Sequence, residues 1–129
     1  MRFFQLATAC LLPLLALAAK KPATDRFEQN HSKQLSKGGP IKLDDNSYAK
    51  LTAAPRDYYV AVLLTALGSQ FKCGLCQEFQ PEWDMLARSW TKGDKAGESR
   101  VIYGTLDFTD GKNTFQSVRT SDVVWKCLC

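Results

Sequence analysis

The chain has 129 residues, 45% of them hydrophobic and 23% charged, with a formal charge of +4. That length and balance suit a single globular domain with a modest core and exclude a disordered chain. The positive charge is mild and scattered, with no basic block interleaved with aromatics, which argues against a nucleic-acid-binding surface.

The first residues, MRFFQLATACLLPLLALAAKK, read as a secretory signal peptide. Arg2 supplies the positive start, an apolar run follows, and Ala16-Leu17-Ala18 is a small-x-small cleavage site. The apolar run is short for a membrane span, which needs about 20 residues. Cleavage is expected after Ala18 or Ala19, leaving a domain of residues 20–129 from which Cys10 is lost. No later stretch is apolar and long enough to cross a bilayer, so the mature chain is expected to be soluble as written. Passage into an oxidising compartment permits disulfides. It also makes Asn30, in Asn30-His31-Ser32, a usable N-glycosylation acceptor.

Thr24 or Asp25 as N-cap, Phe27 and Leu35 on one face and Gly38-Gly39 as a stop predict a short amphipathic helix, with His31 solvated on its polar side. Ile41-Lys42-Leu43 alternates like a brief strand. Asp44-Asp45-Asn46 cap a turn of helix carrying Tyr48 and Leu51, and Pro55 ends it. Residues 57–67, DYYVAVLLTAL, are apolar without alternation and predict a strand buried on both faces of a central sheet. After the loop GSQFK come Cys73 and Cys76, and then Phe79, Trp83, Leu86, Ala87 and Trp90 at helical steps, up to Gly93. Trp83 and Trp90 are expected in the core. Residues 100–108 predict a second buried strand. Asp107 and Asp110 are read as shaping the turn that follows rather than binding metal, and a last short helix holds Phe115 and Val118. Helices alternating with strands in this way predict an α/β sandwich with a parallel strand pair.

Three chemistries are open to the Cys73-x-x-Cys76 pair. Zinc needs four ligands, and Cys127, Cys129 or His31 would have to supply the other two. A purely structural disulfide would close almost no loop and stabilise little. A redox pair has a mechanism: between a buried strand and a helix, Cys73 sits at a helix N-terminus, where unpaired N–H groups and the helix dipole favour its thiolate. Lys72 adds positive charge, Gly74 permits the tight turn, and Cys76 one turn on is the resolving thiol. No metal or cofactor is expected on this reading. Pro81, five residues after Cys76, either kinks a helix that begins at the pair or starts the helix itself and leaves Cys76 in a loop. Phe71 and Leu75 are candidates for a client groove beside Cys73.

The segments AAPRDYYVAVLLTAL, CGLCQEFQPEWDMLARSW and LDFTDGKNTFQSV together resemble one family, the thioredoxin-like subunit of the oligosaccharyltransferase complex, of the subunit-three and subunit-six type of fungi. The most specific parts are Arg56-Asp57-Tyr58, Leu64-Thr65-Ala66 and the turn Asp107 to Gly111. The resemblance implies a thioredoxin-like lumenal domain of the endoplasmic reticulum that holds nascent client polypeptides through transient mixed disulfides at Cys73 and Cys76. It does not itself transfer glycan. The implied partners are the other subunits of the complex and the clients, with the membrane reached only through the complex. Two departures stand out. Tyr58–Leu67 carries no carboxylate behind the pair, which suits a slow capture device rather than a fast reductase. Residues 121–129, SDVVWKCLC, replace an expected Ala-Pro with its cis-proline, so the last hairpin and helix of the fold are expected to be missing.

Overall fold

The computed structural model describes residues 23–120. The expected signal peptide, Cys10 and the 121–129 tail with Cys127 and Cys129 lie outside them. Seven main elements follow in the expected order: α1 (Ala23–Lys37), β1 (Ile41–Leu43), α2 (Asp45–Thr52), β2 (Tyr59–Thr65), α3 (Gly74–Gly93), β3 (Val101–Asp107) and α4 (Lys112–Thr120). One short 3-10 turn, Ser69–Phe71, lies in the loop before the cysteine pair. Among the described residues the sheet has three strands, all parallel, in the order β1-β3-β2. Helix α1 packs on α3 and α2 on α4, with the sheet between the pairs. This is the α/β arrangement that the alternation predicts.

Local chemistry explains the boundaries. α1 stops where Gly38 takes a φ of +65, a left-handed turn that glycine adopts without a side-chain clash. Asp44 caps α2 by accepting from the Ser47 amide at 2.7 Å, while the Ser47 hydroxyl accepts from the Asp44 amide at 2.8 Å. Arg26 on α1 reaches the other end of α2 and donates to the carbonyls of Lys50 at 3.3 Å, Ala53 at 3.2 Å and Pro55. Asp45, at the first turn of α2, does its work on another helix. Its carboxylate accepts from the amides of Asn113 (3.3 Å) and Thr114 (2.8 Å) and so caps α4.

The core is continuous across the sheet. Register sets Leu43, Leu106 and Leu64 in one row on a single face. Leu106 is fully buried with Ile102, Ile41, Leu51 and Tyr58, and Phe115 packs against this cluster. On the opposite face Trp83 meets Tyr103 edge-on at 5.6 Å and donates to Thr105 at 3.1 Å.

Four expectations are corrected. β2, expected to be buried on both faces, is half-buried, with β3 as its one neighbour among the described residues, and β3, buried along its middle, is the central strand. An apolar run marks burial but not sheet order. Leu35 faces solvent, and Gln34 takes the core position at 1% exposure. It is kept there because Nε2 donates to Thr91 Oγ1 at 2.6 Å and Oε1 accepts from the Tyr103 amide at 3.1 Å. That amide lies one residue before the β1 pairing begins at Gly104, so a side chain supplies the acceptor that a longer β1 would have offered. His31 is half-buried rather than solvated, stacked on Phe27 at 5.2 Å with Nε2 3.2 Å from the Asp94 carbonyl oxygen. Trp90 is 43% exposed, and Phe79 and Leu86 are exposed with it. The inward stripe of α3 is Trp83, Ala87 and Thr91, about a quarter turn from the most apolar stripe.

Several carboxylates sit below their ordinary range in the folded state. The Ser47 amide and hydroxyl hold Asp44 down, the Thr114 hydroxyl and amide hold Asp45 down, and the Ser99 hydroxyl and amide do so for Asp94 against a smaller opposing effect of burial. Burial alone would raise Asp107, but hydrogen bonds from Thr109 and Leu67 and the charge of Lys42 outweigh it and lower it. Groups whose folded pKa is depressed contribute stability above the unfolded value and lose it as pH falls through the folded one. The melting temperature is therefore expected to hold between pH 6 and about 4 and to fall steadily below about 3.9. A melting temperature unchanged down to about pH 2.5 would contradict this assignment.

Candidate functional site

Phe71, Cys73, Leu75 and Cys76 lie together after the C-terminal end of β2. The chain leaves β2 at Thr65, makes the 3-10 turn, and passes Lys72 in the left-handed region at φ +49 before α3 begins. Cys73 is the N-cap residue of α3, and Cys73 and Cys76 are joined in a disulfide with their Cα atoms 5.2 Å apart. The Cys76 amide donates to Cys73 Sγ at 3.2 Å, as an N-cap side chain receives one of the first unpaired N–H groups of a helix. Both cysteines are half-buried. Gly74 and Leu75, between them, are exposed, Leu75 at 67%.

α3 runs unbroken from Gly74 to Gly93 with Pro81 inside it. The reading in which the helix starts only at Pro81 is thereby overturned, and Cys76 lies in the first turn. Proline tolerates this because the inward packing of Trp83, Ala87 and Thr91 offsets the one hydrogen bond its missing N–H removes.

Phe71 and Leu75 flank Cys73 on either side but differ in setting. Phe71 packs edge-on against Phe108 at 5.1 Å, and Phe108 against Phe115 at 5.2 Å, so an aromatic ladder ties the loop before the pair to α4. Leu75 projects as an exposed apolar side chain at the disulfide. Farther along α3, Phe79, Leu86 and Trp90 continue an exposed apolar flank. Asn30 lies in α1, away from the pair; it is half-buried and its Nδ2 donates to the Arg26 carbonyl at 2.7 Å. Asp107 shapes the turn after β3 as expected: it accepts from Thr109 N at 2.9 Å, Thr109 Oγ1 at 2.6 Å and Leu67 N at 2.8 Å. The last of these bonds anchors the start of the loop that carries the pair. Asp110 contributes through its backbone, its carbonyl accepting from Asp45 N at 3.2 Å.

Sequence reasoning missed a polar surface behind the pair. Gln80, Asp84 and Arg88 follow Cys76 at four-residue steps on α3 and face Thr65, Lys42 and Asp107 of the sheet across a cleft. The four-residue spacing was visible, but the three strand residues come from separate segments that only the sheet brings together.

The family described as "OST3 / OST6 family, transporter family" matches residues 28–123. The chain is similar to the zebrafish (Danio rerio) protein named dolichyl-diphosphooligosaccharide–protein glycosyltransferase subunit MAGT1, with 35% identity over 83 residues, which is 64% of this chain and 25% of that one. It is similar to the human (Homo sapiens) protein of the same name at 32% over 77 residues, or 59% of this chain and 23% of the relative. The glycosyltransferase subunit 3 of Saccharomyces cerevisiae is 35% identical over 51 residues, 39% of this chain and 15% of that protein. The chain thus spans about a quarter or less of the length of these curated relatives. With the matched span running from α1 past α4 and enclosing the disulfide at the head of α3, the chain belongs to the OST3 / OST6 family.

Proposed function

We propose that this chain serves as an accessory subunit of an oligosaccharyltransferase complex, on the lumenal side of the endoplasmic reticulum. There it holds nascent polypeptides through transient mixed disulfides at Cys73. The observation that carries the reading is the closed Cys73–Cys76 disulfide at the N-terminus of α3, in a chain of this family whose relatives are named as subunits of the glycosyltransferase.

The chemistry is thiol–disulfide exchange. A client thiolate attacks Cys73 Sγ, the bond to Cys76 breaks, and Cys76 leaves as a thiolate that takes up a proton. The client is now held by one disulfide. On release, deprotonated Cys76 attacks Cys73, the client thiolate departs, and the original disulfide is restored. The cycle has no net oxidation, so capture needs no cofactor. The amide of residue 76, which donates to Cys73 Sγ in the closed pair, can also favour a Cys73 thiolate when the pair is reduced. Exposed Leu75 offers an apolar contact to a bound client, with Phe71 at the edge of the same loop. Nothing in this exchange transfers a glycan, which belongs to the rest of the complex.

Two measurements test the two halves. In the reduced full chain, alkylation at about pH 6.5 should modify Cys73 at least threefold faster than free cysteine, and Cys76 more slowly. Tagged chain expressed in its own cells should co-purify with the glycan-transferring core. A Cys73 no more reactive than free cysteine removes the capture chemistry, whereas absence of the core from the purified material removes the subunit role.

A further inference from the structure

Strand β2 leaves one edge of the sheet open among the described residues. The Tyr59 amide donates to the Arg100 carbonyl at 2.8 Å, and the Thr65 carbonyl accepts from the Phe108 amide at 2.8 Å. Tyr59, Ala61, Leu63 and Thr65 therefore aim their backbone groups at β3. The pleat turns the amides and carbonyls of Val60, Val62 and Leu64 the other way, where no strand meets them among the described residues. Natural edge strands are blunted by a charge, a proline or a bulge. Residues 60–64 carry no charge, no proline and no glycine, and their register with β3 is unbroken.

The same side of the molecule carries the exposed apolar flank of α3. Successive helical residues turn by about 100°. Gln80, Asp84 and Arg88 thus lie to one side of the inward stripe of Trp83, Ala87 and Thr91, toward Lys42 of β1. Phe79, Leu86 and Trp90 lie to the other side, toward β2. Tyr59 stands on this face of β2, since it alternates with Ala61, the register partner of the Tyr103 that Trp83 meets. Tyr59 is 73% exposed, Phe79 51% and Trp90 43%. At about 150–250 Å² per aromatic side chain, these three leave on the order of 300 Å² uncovered, against about 800 Å² per partner in a stable interface, before Leu86 and the strand edge are counted.

We propose that this face joins two copies of the chain, β2 against β2, about a two-fold axis at Val62. A two-fold contact runs the strands antiparallel, so Val60 meets the partner's Leu64, and the open amides and carbonyls of each edge pair with those of the other. The sheet gains three strands from each copy, and the two α3 helices lie antiparallel on one of its faces. Phe79 then packs toward the partner's Leu86 and the partner's Trp90. The charge order of α3 fits this direction. Glu78 and Glu82 lie in its first half and Lys92 near its end, all three exposed, so antiparallel packing sets acid beside base. A bound extended peptide would fill the strand edge but bring no helix to cover Phe79, Leu86 and Trp90. Cys73 and Cys76 lie beyond Thr65, outside the paired stretch, and the contact does not depend on their chemistry.

Sedimentation of the full chain with its disulfide closed reads the mass. A dimer of twice 14.4 kDa is expected, with a Kd on the order of 1 μM. Amide exchange at Val60, Val62 and Leu64 should slow about tenfold between roughly 0.1 and 100 μM chain, while the Tyr59 and Ala61 amides, aimed at β3, stay unchanged. Leu86→Glu, at an exposed position, should weaken the dimer at least tenfold. Val62→Pro removes an outward N–H and no bond to β3, and should do the same. Glu78→Lys should weaken the dimer about threefold, and adding Lys92→Glu to the same chain should restore it. The proposal is overturned by a monomer at about 100 μM, by Val60, Val62 and Leu64 amides already protected in the monomer, by a dimer that Leu86→Glu leaves unaltered, or by no restoration in the double charge variant. The Cys73→Ser/Cys76→Ser chain should dimerise as tightly, which separates failure of this contact from failure of the capture chemistry.

Discussion

A Cys76→Ser chain is expected to accumulate disulfide-linked adducts through Cys73, on the order of tenfold or more above the unaltered chain. The substitution removes the sulfur that would attack the mixed disulfide and release the client, but it leaves the residue-76 amide that donates to Cys73 Sγ. Without Cys76 the pair cannot close, so capture runs in the other direction of the same exchange: the Cys73 thiolate attacks a client disulfide, a client thiolate leaves, and no Cys76 thiol is present to resolve the mixed disulfide. Adducts are read by non-reducing gel electrophoresis after thiols are blocked in living cells, and Cys73→Ser/Cys76→Ser provides the background. If Cys76→Ser gives no more adducts than this double variant, mixed-disulfide capture is wrong. Adducts that form equally when the chain is outside the complex would instead indicate a free-standing oxidoreductase.

Leu106→Ala is expected to cost about 2–5 kcal/mol, the range for removing a large aliphatic side chain from a packed core. Leu106 is fully buried at the centre of the row Leu43–Leu106–Leu64. The backbone of Gly111 closes over it so tightly that a Cβ there would stand 2.6 Å from Leu106. The turn after β3 and the head of α4 are thus held in place by the side chain that the substitution removes. Against a total stability of about 5–15 kcal/mol for ordinary domains, the loss takes a large share of the margin that keeps the chain folded. Denaturant unfolding measures it, and a change below about 1 kcal/mol would show that Leu106 is not the keystone of the row.

The order of elements was legible because each one carries its own local chemistry. Asp44 with Ser47 signals a helix start whatever surrounds it, and β1 falls on Ile41–Leu43 as its alternation predicts. Strand 59–65, YVAVLLT, is more apolar than strand 101–107, VIYGTLD, yet the second is central among the described residues, so composition could not rank the two. The disulfide site was legible for the same local reason: two cysteines separated by two residues at a strand-to-helix junction need no distant partner to be placed. Leu75 stands exposed beside the disulfide, whereas Phe71 has half its role in a ladder whose other rungs, Phe108 and Phe115, are more than 30 residues away.

What the amino-acid order determined by itself is therefore the local part: where helices begin and end, that strands alternate with them, and that Cys73 stands at the head of α3. What only the tertiary structure decided is which polar groups are inside and what they meet. Gln34 is buried because Thr91 and Tyr103, from two other elements, complete its amide. Asp45 caps a helix that begins 67 residues after it. Thr65 and Gln80 share a cleft with Lys42, Arg88 and Asp107 because the parallel register of three strands carries them under one helix. A capping bond reaches only a few residues along the chain, whereas the cost of burying a polar group is settled by neighbours that the chain's own order does not bring near.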